Sequence, residues 1–301
     1  MHSRKSLLER TLSLPGIKHF TLLLAQRFIA GTSVMDLLAK KKFLNSLGFS
    51  TITNLLGESS RSFQEITSVE EKYLEAIAFL EKTGALDDIS IKASEFGLNS
   101  DHGEIRYSWW DDCPEICSVL KEADEIRLRV WLDAELLETR EELWKFTRLA
   151  LEDISFLGIA FQAYGNSIFN SEFFFNAIIE PLATSLPKDK TLGLRLCKGA
   201  YFSSEKKILR DQKKIRERYL ALASAMMKLS LVNAKYPERG NLFLEFATHD
   251  LILIRELKNM LQTLGLPKNK FRFAMLYGRQ QSLASHLFAE GYNIAIYLPF
   301  G

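Results

Sequence analysis

Polar and charged side chains stand at the ends of otherwise apolar segments of this chain: Glu58, Lys92, Asp133, Gln162, Arg195, His249, Tyr277 and Tyr297. Gathered around one mouth, two cations (Lys92, Arg195) and one anion (Asp133) suit a zwitterionic or anionic small molecule. Charges in such a place are costly to desolvate unless they pair with each other or with a ligand. Taken alone, each residue also fits a structural role. Lys92 can snorkel from a strand end, Asp133 can cap a helix, Gln162 can satisfy a buried backbone group, and His249 can sit at a helix start.

The sharpest local signal is Arg195-Leu-Cys-Lys-Gly-Ala-Tyr201. A strand runs into Lys198, Gly199 and Ala200, where small residues let a planar or phosphorylated ligand approach the backbone. Ser203 and Ser204 then open a helix, whose N-terminus favours negative charge. An ordinary strand-to-helix turn with a glycine has the same pattern. Lysines at two strand ends, Lys92 and Lys198, also admit Schiff-base chemistry of the aldolase kind. The three cysteines, Cys113, Cys117 and Cys197, are too few and too odd for a disulfide scaffold and fit a reducing compartment. No second cysteine pair accompanies Cys113 and Cys117, and the five histidines are scattered, so the expectation is no metal site.

Eight short apolar segments must position these groups. They read as strands over Thr51–Leu55, Ile89–Ala93, Ile126–Leu132, Leu157–Ala163, Leu192–Cys197, Leu242–Ala247, Phe271–Leu276 and Asn293–Leu298. Helical patterns fill the gaps. Thr139 and Glu142 have the spacing of a capping box, and Asp250 and Gly265 bracket a helix with apolar residues at 253, 254, 257, 260, 261 and 264. Strands alternating with helices predict a parallel α/β fold. The count of eight, without a Gly-x-Gly-x-x-Gly turn, favours a (β/α)8 TIM-type barrel, whose site lies at the C-terminal strand ends. Residues 1–48 read as an N-terminal helical segment, with stops at Gly31 and Gly48, and 49–301 as the barrel; together they form one domain. The eighth strand runs into Pro299-Phe-Gly301 with no eighth helix after it, so the barrel is expected to lack its final helix.

The net charge of +2, from 39 basic and 37 acidic residues, gives no general pull toward nucleic acid. Basic runs at Lys40-Lys-Lys42 and from Lys206 to Arg218 read as solvated helix faces or as a docking patch for an anionic membrane. No segment approaches the roughly 20 apolar residues of a membrane span. Glu9 argues against a mitochondrial presequence.

The motif Arg195-Leu-Cys-Lys-Gly-Ala-Tyr201 resembles that of the proline dehydrogenase family. Other pieces match in the family's order: Arg27-Phe-Ile-Ala-Gly31, Leu55-Leu-Gly-Glu58, Ile91-Lys-Ala-Ser94, Leu132-Asp-Ala-Glu135, Phe161-Gln-Ala-Tyr164, Phe246-Ala-Thr-His-Asp250, Met275-Leu-Tyr-Gly278 and Gly291-Tyr through Tyr297-Leu-Pro-Phe-Gly301. The similarity covers nearly all of the chain from about residue 25. The shorter stretch after Tyr201, with Asp211 and Tyr219, is closer to the monofunctional bacterial enzymes.

The resemblance implies a distorted barrel holding FAD, which accords with the missing dinucleotide fingerprint. It implies oxidation of L-proline to Δ1-pyrroline-5-carboxylate by hydride transfer to the flavin, and electrons passed to a membrane quinone. It places the protein in the cytoplasm, peripheral at the inner membrane, with a pyrroline-5-carboxylate dehydrogenase as partner. By the same resemblance Asp133 and Arg195 are catalytic, and Lys92, Tyr201 and Tyr297 bind substrate. Ala134, Gln162, Arg195, Lys198, Gly199, Ala200, Thr248 and His249 contact the cofactor, and no metal is needed. Two departures stand out. Ala274 replaces the family's usual glutamine, and the family's final helix, with an arginine pair for the proline carboxylate, is absent, as in a truncated reading frame. Without that clamp, a non-catalytic barrel is the competing reading.

Overall fold

Each of the eight apolar segments forms a strand, because β-branched and large apolar side chains pack well on a pleated surface covered by helices. The computed structural model describes residues 28–57, 60, 62–98, 113–166, 170–199 and 207–301. The strands are β1 (Ser50–Leu55), β2 (Asp88–Ile91), β3 (Arg129–Leu132), β4 (Phe156–Gln162), β5 (Thr191–Cys197), β6 (Asn241–Ala247), β7 (Phe271–Leu276) and β8 (Ile294–Phe300). They pair in parallel in chain order, and β8 pairs back onto β1 from Ser50↔Ala295 to Leu55↔Phe300, which closes the barrel.

Among the described residues the helices are α1 (Val34–Ser46), α2 (Phe63–Thr83), α3 (Pro114–Glu125), α4 (Arg140–Asp153), α5 (Ser171–Phe174), α6 (Glu180–Thr184), α7 (Gln212–Asn233), α8 (Leu251–Leu264) and α9 (Gln281–Ala289). Between α5 and α6 the chain widens into a π-helical turn, Phe175–Ile179, just before Pro181, which has no N–H to give to the α-helical ladder. Leu37, Leu38 and Leu44 of α1 belong to the same apolar core as Leu192, Leu194 and Leu196 of β5.

Four local expectations need correcting. Strand β2 ends at Ile91, and Ala93 begins a 3-10 turn closed by Gly97 in the left-handed region. Strand β3 begins at Arg129, because Ile126 ends α3 and Arg127 takes a positive φ of 60°. Strand β8 runs on to Phe300, two residues past Leu298. Thr139 makes no side-chain cap. Its hydroxyl donates to the Leu136 carbonyl at 3.0 Å inside a preceding 3-10 turn, so Glu142 has no capping box to complete. By contrast Asp250 caps α8 through Ile252 and Leu253, and Gly265 closes it at φ 65°. The expected helix start at Ser203 and Ser204 lies outside the described residues; among those described, α7 begins after Asp211, whose carboxylate accepts from the Lys213 N–H.

Side chains alternate across a strand, so every second residue points into the barrel. In β3 this inward set includes the fully buried Trp131, and two neighbouring strands make room for its indole with glycines. A Cβ on Gly158 would run into the ring, and one on Gly193 would come within 2.9 Å of it. Trp131 thus fills the space left by the two glycines, with the rings of Phe156 and Phe243 packed against it at 5.8 and 6.3 Å.

Candidate active site

Asp133 is the centre of the site. It follows β3 directly, and its backbone N–H still donates to Ile91, which fixes the carboxylate at the strand end. Arg195, inward on β5, donates from Nη1 to Asp133 Oδ1 at 2.8 Å. Tyr297, inward on β8, donates its hydroxyl to Asp133 Oδ2 at 2.5 Å, and Ser90 of β2 donates to Oδ1 at 2.7 Å. Four strands thus meet at one carboxylate. Burial, and then the Asp133 charge, push the Tyr297 phenol well above its ordinary pKa, so it stays protonated and remains a donor. Burial alone would lower the Arg195 pKa, but Glu245 and Asp133 outweigh it and the net shift is upward. Arg195 is a fixed cation, with its guanidinium 4.5 Å from the Trp131 ring.

Below this centre lies a layer that the sequence reading did not include. Glu245 accepts from Arg195 Nε on one oxygen and from Arg272 Nε at 2.5 Å on the other. Arg272 also donates to Asp88, which accepts from Arg129 at 2.8 Å and from the Trp131 indole at 2.7 Å. Burial opposes ionisation of Asp88, but Arg272 and Arg129 hold its pKa below the ordinary value. The signal for these residues was present in the strand period: Asp88–Ser90, Arg129–Trp131 and Glu245–Ala247 share parity with the residues above them.

A cleft of about 550 Å³ opens over the C-terminal ends of β3–β7. It is lined by the predicted Asp133, Ala134, Gln162, Lys198, Gly199, Thr248 and His249, and by Arg279, which the sequence reading missed. Ala134, Ala160 and Ala247 give this lining small side chains. Arg195 lies two residues down β5 from Cys197, which lines the cleft and whose thiol burial pushes up to about 12. The Gln162 amide donates to the Glu135 carbonyl at 2.7 Å. Lys198 pairs with Asp250 at 3.0 Å, and Arg216 donates to the same Asp250 oxygen at 2.7 Å. Burial raises the Asp250 pKa, but these donors more than offset it and bring it to about 2. Gly199 has φ 116°, and a Cβ there would strike the Tyr164 ring, so the turn requires glycine. His249 Nε2 accepts from the Leu276 N–H at 3.1 Å; burial, then Arg279, keeps its pKa below 6.5 and the ring neutral.

Lys92 stands at the end of β2, where its ammonium donates to the Gly57 carbonyl at 3.0 Å and lies 3.6 Å from Glu95. Tyr277 is not brought into the cluster: its ring lies 5.3 Å from the Lys40 ammonium. Glu58, Ala200 and Tyr201 lie outside the described residues. The position of Ala274 is filled by apolar packing with Ile52 and Ala295, against which Tyr297 and Ala247 rest. Lys92 and Lys198 are both ion-paired, the opposite of the unpaired, desolvated amine that Schiff-base chemistry needs.

The family model for proline dehydrogenase matches residues 37–301. The chain belongs to the proline dehydrogenase family. Proline dehydrogenases 1 and 2 of Bacillus subtilis (strain 168) are 26% and 27% identical to it over 279 and 280 residues, 92% of this chain and 82% of each relative. The proline dehydrogenase of Deinococcus radiodurans is 25% identical over 286 residues, 92% of this chain and 82% of that one. Among solved structures, proline utilization A from Bdellovibrio bacteriovorus superposes with a TM-score of 0.79 at 20% identity, over 95% of this chain. This chain spans only 32% of that protein, which is evidence for the shared barrel alone. Within this proline dehydrogenase fold, Asp133, Arg195 and Tyr297 are gathered beside the cleft from three different strands.

Proposed function

We propose that the site oxidises L-proline to Δ1-pyrroline-5-carboxylate, with FAD held in the cleft. The observation that carries the reading is Arg195: its guanidinium is buried beside the cleft, yet Nη2 has no hydrogen-bond partner. A buried donor left unmet is costly, and an acceptor-bearing planar ring would meet it. The rest of the cleft fits the same cofactor. Small alanines leave space for a flat ring, Gln162 offers an amide, and Lys198, Arg279 and Thr248 offer charge and a hydroxyl for phosphates.

Bound FAD would supply the two-electron acceptor for the hydride leaving proline. The protein's part is position and field. Lys92 holds the substrate carboxylate. Asp133 orients the charged groups around the substrate and is itself held by Arg195 and Tyr297. Tyr297, fixed by its bond to Asp133, packs against the proline ring, with Tyr201 as a further wall. Arg195 is a permanent cation that would stabilise negative charge added to a bound flavin. A membrane quinone would take up the electrons, and a pyrroline-5-carboxylate dehydrogenase would consume the product. No helix among the described residues is long and apolar enough to cross a membrane.

The test is spectroscopic. The purified chain, reconstituted with FAD, is expected to show a flavin absorption band that L-proline bleaches without oxygen. A protein that cannot be loaded with flavin overturns the cofactor assignment. A loaded protein indifferent to L-proline overturns the substrate and leaves a binding barrel.

A further inference from the structure

The carboxylate of Glu95 is 1% exposed and lies one 3-10 turn beyond Lys92. Its Oε2 accepts the Tyr73 hydroxyl of α2 at 3.0 Å. Its Oε1 accepts no hydrogen bond and has the Lys92 ammonium at 3.6 Å. Gly57 presses on the same oxygen so closely that a Cβ there would collide with it. Asp133 and Glu135, from the end of β3, face Glu95 with like charge, and Lys92 is the cation that does most to hold its charge.

We propose that Glu95 takes up a proton from solvent when a substrate carboxylate binds Lys92. The inference rests on the assignment of Lys92 to the substrate carboxylate. Binding neutralises the ammonium and adds a negative charge beside a buried carboxylate that already faces two like charges. An uncompensated buried charge is costly, and a carboxylate in that position protonates instead. Burial already lifts Glu95 to about 7 in the unliganded protein, so the proton is available at neutral pH. Glu135 is the competing acceptor. It keeps both the N–H and the hydroxyl of Ser94, and Lys92 contributes less to holding its charge than those two bonds do. Glu95 is thus a positioning residue, acting on the substrate through Lys92.

The experiment is calorimetric titration of the FAD-loaded protein with tetrahydrofuran-2-carboxylate, which carries proline's ring and carboxylate but no oxidisable C–N bond. Repeating it at each pH in two buffers of different ionisation enthalpy, phosphate and Tris at pH 8 and acetate and MES at pH 5.5, counts protons. Uptake of about one proton is expected at pH 8 and almost none at pH 5.5, with affinity falling up to about tenfold per pH unit above 7. Glu95→Gln is expected to abolish uptake and flatten the affinity profile. Tyr73→Phe removes a bond that favours the charged form, so uptake should begin at a higher pH. Binding without uptake at pH 8, or uptake that survives Glu95→Gln, overturns the proposal while leaving the substrate assignment standing. No binding by the loaded protein at any pH sinks that assignment and this proposal together.

Discussion

The guanidinium of Arg195 and the carboxylate of Asp133 meet at 2.8 Å across a separation of 62 residues. The contact sets Asp133, and through it Tyr297. Asp133→Asn removes the anion from bonds of a class worth about 1.5–3 kcal/mol, leaving the Tyr297 bond neutral and the Arg195 bond charged on one partner only. The expected result is a loss of about 10–100-fold in kcat/KM for L-proline with the flavin still bound. Steady-state kinetics beside a flavin-to-protein absorbance ratio measure both; unchanged kcat/KM would remove Asp133 from the site.

Glu245 joins the two buried arginines, Arg195 and Arg272. Glu245→Leu strips both of a counter-ion in a place water does not reach. Breaking a buried ion pair from one side typically costs about 3–5 kcal/mol. The urea midpoint should fall accordingly, in the apoprotein as well as the loaded form. A shift of less than about 1 kcal/mol would show that the arginines find other partners.

Gly158 exists to admit Trp131. Gly158→Ala should destabilise the barrel by about 1–3 kcal/mol through overpacking. In a Trp131→Phe background the same alanine should cost less, because the smaller ring vacates the space. Equal costs in the two backgrounds, measured by denaturant melts, would disprove the coupling.

His249 accepts the Leu276 N–H through Nε2, and only the neutral ring can do so. Its folded-state pKa is depressed below 6.5, by burial first and then by Arg279. The folded protein therefore binds fewer protons than the unfolded chain at this residue. The associated stability is present above 6.5 and is lost as pH falls through the lower folded value. His249→Gln should flatten this part of the stability profile between pH 7 and pH 5; a wild-type profile already flat there would contradict the assignment.

Arg279 supplies cleft charge, and the sequence offered no hint of it beyond a turn after β7. Arg279→Ala should weaken FAD retention by about 10–100-fold, the scale of one charge-assisted contact. The defect should shrink in high salt, where the wild type weakens too. Fluorescence of released flavin on dilution reads the effect, and unaltered retention would place Arg279 away from the cofactor.

The barrel was legible because strand and helix periods differ and because eight apolar segments recur with helical patterns between them. Asp133 was legible because it directly follows an apolar run; Arg195 and Tyr297 lie inside their strands and were legible through the motifs they share with the family. Glu245 and Arg272 were harder to read. Each lies inside such a run, where the local pattern favours an uncharged side chain, and only its partner on another strand explains it. The unmade cap at Thr139 fails for a related reason: spacing sets who can reach, but the turn from Leu136 had already engaged the hydroxyl. No local rule revealed that Lys92 would lean toward Glu95, since that depends on Gly57 leaving a carbonyl within reach.

Along the barrel axis the charges run Asp133, Arg195, Glu245, Arg272, Asp88, Arg129, alternating in sign and summing to zero. Such a series resists neutral drift at single positions, since losing any interior member strands its neighbours. Descendants should inherit it as a block or exchange it in compensated pairs. Relatives that lack an acid at position 88 are therefore expected to lack the base at position 272 as well.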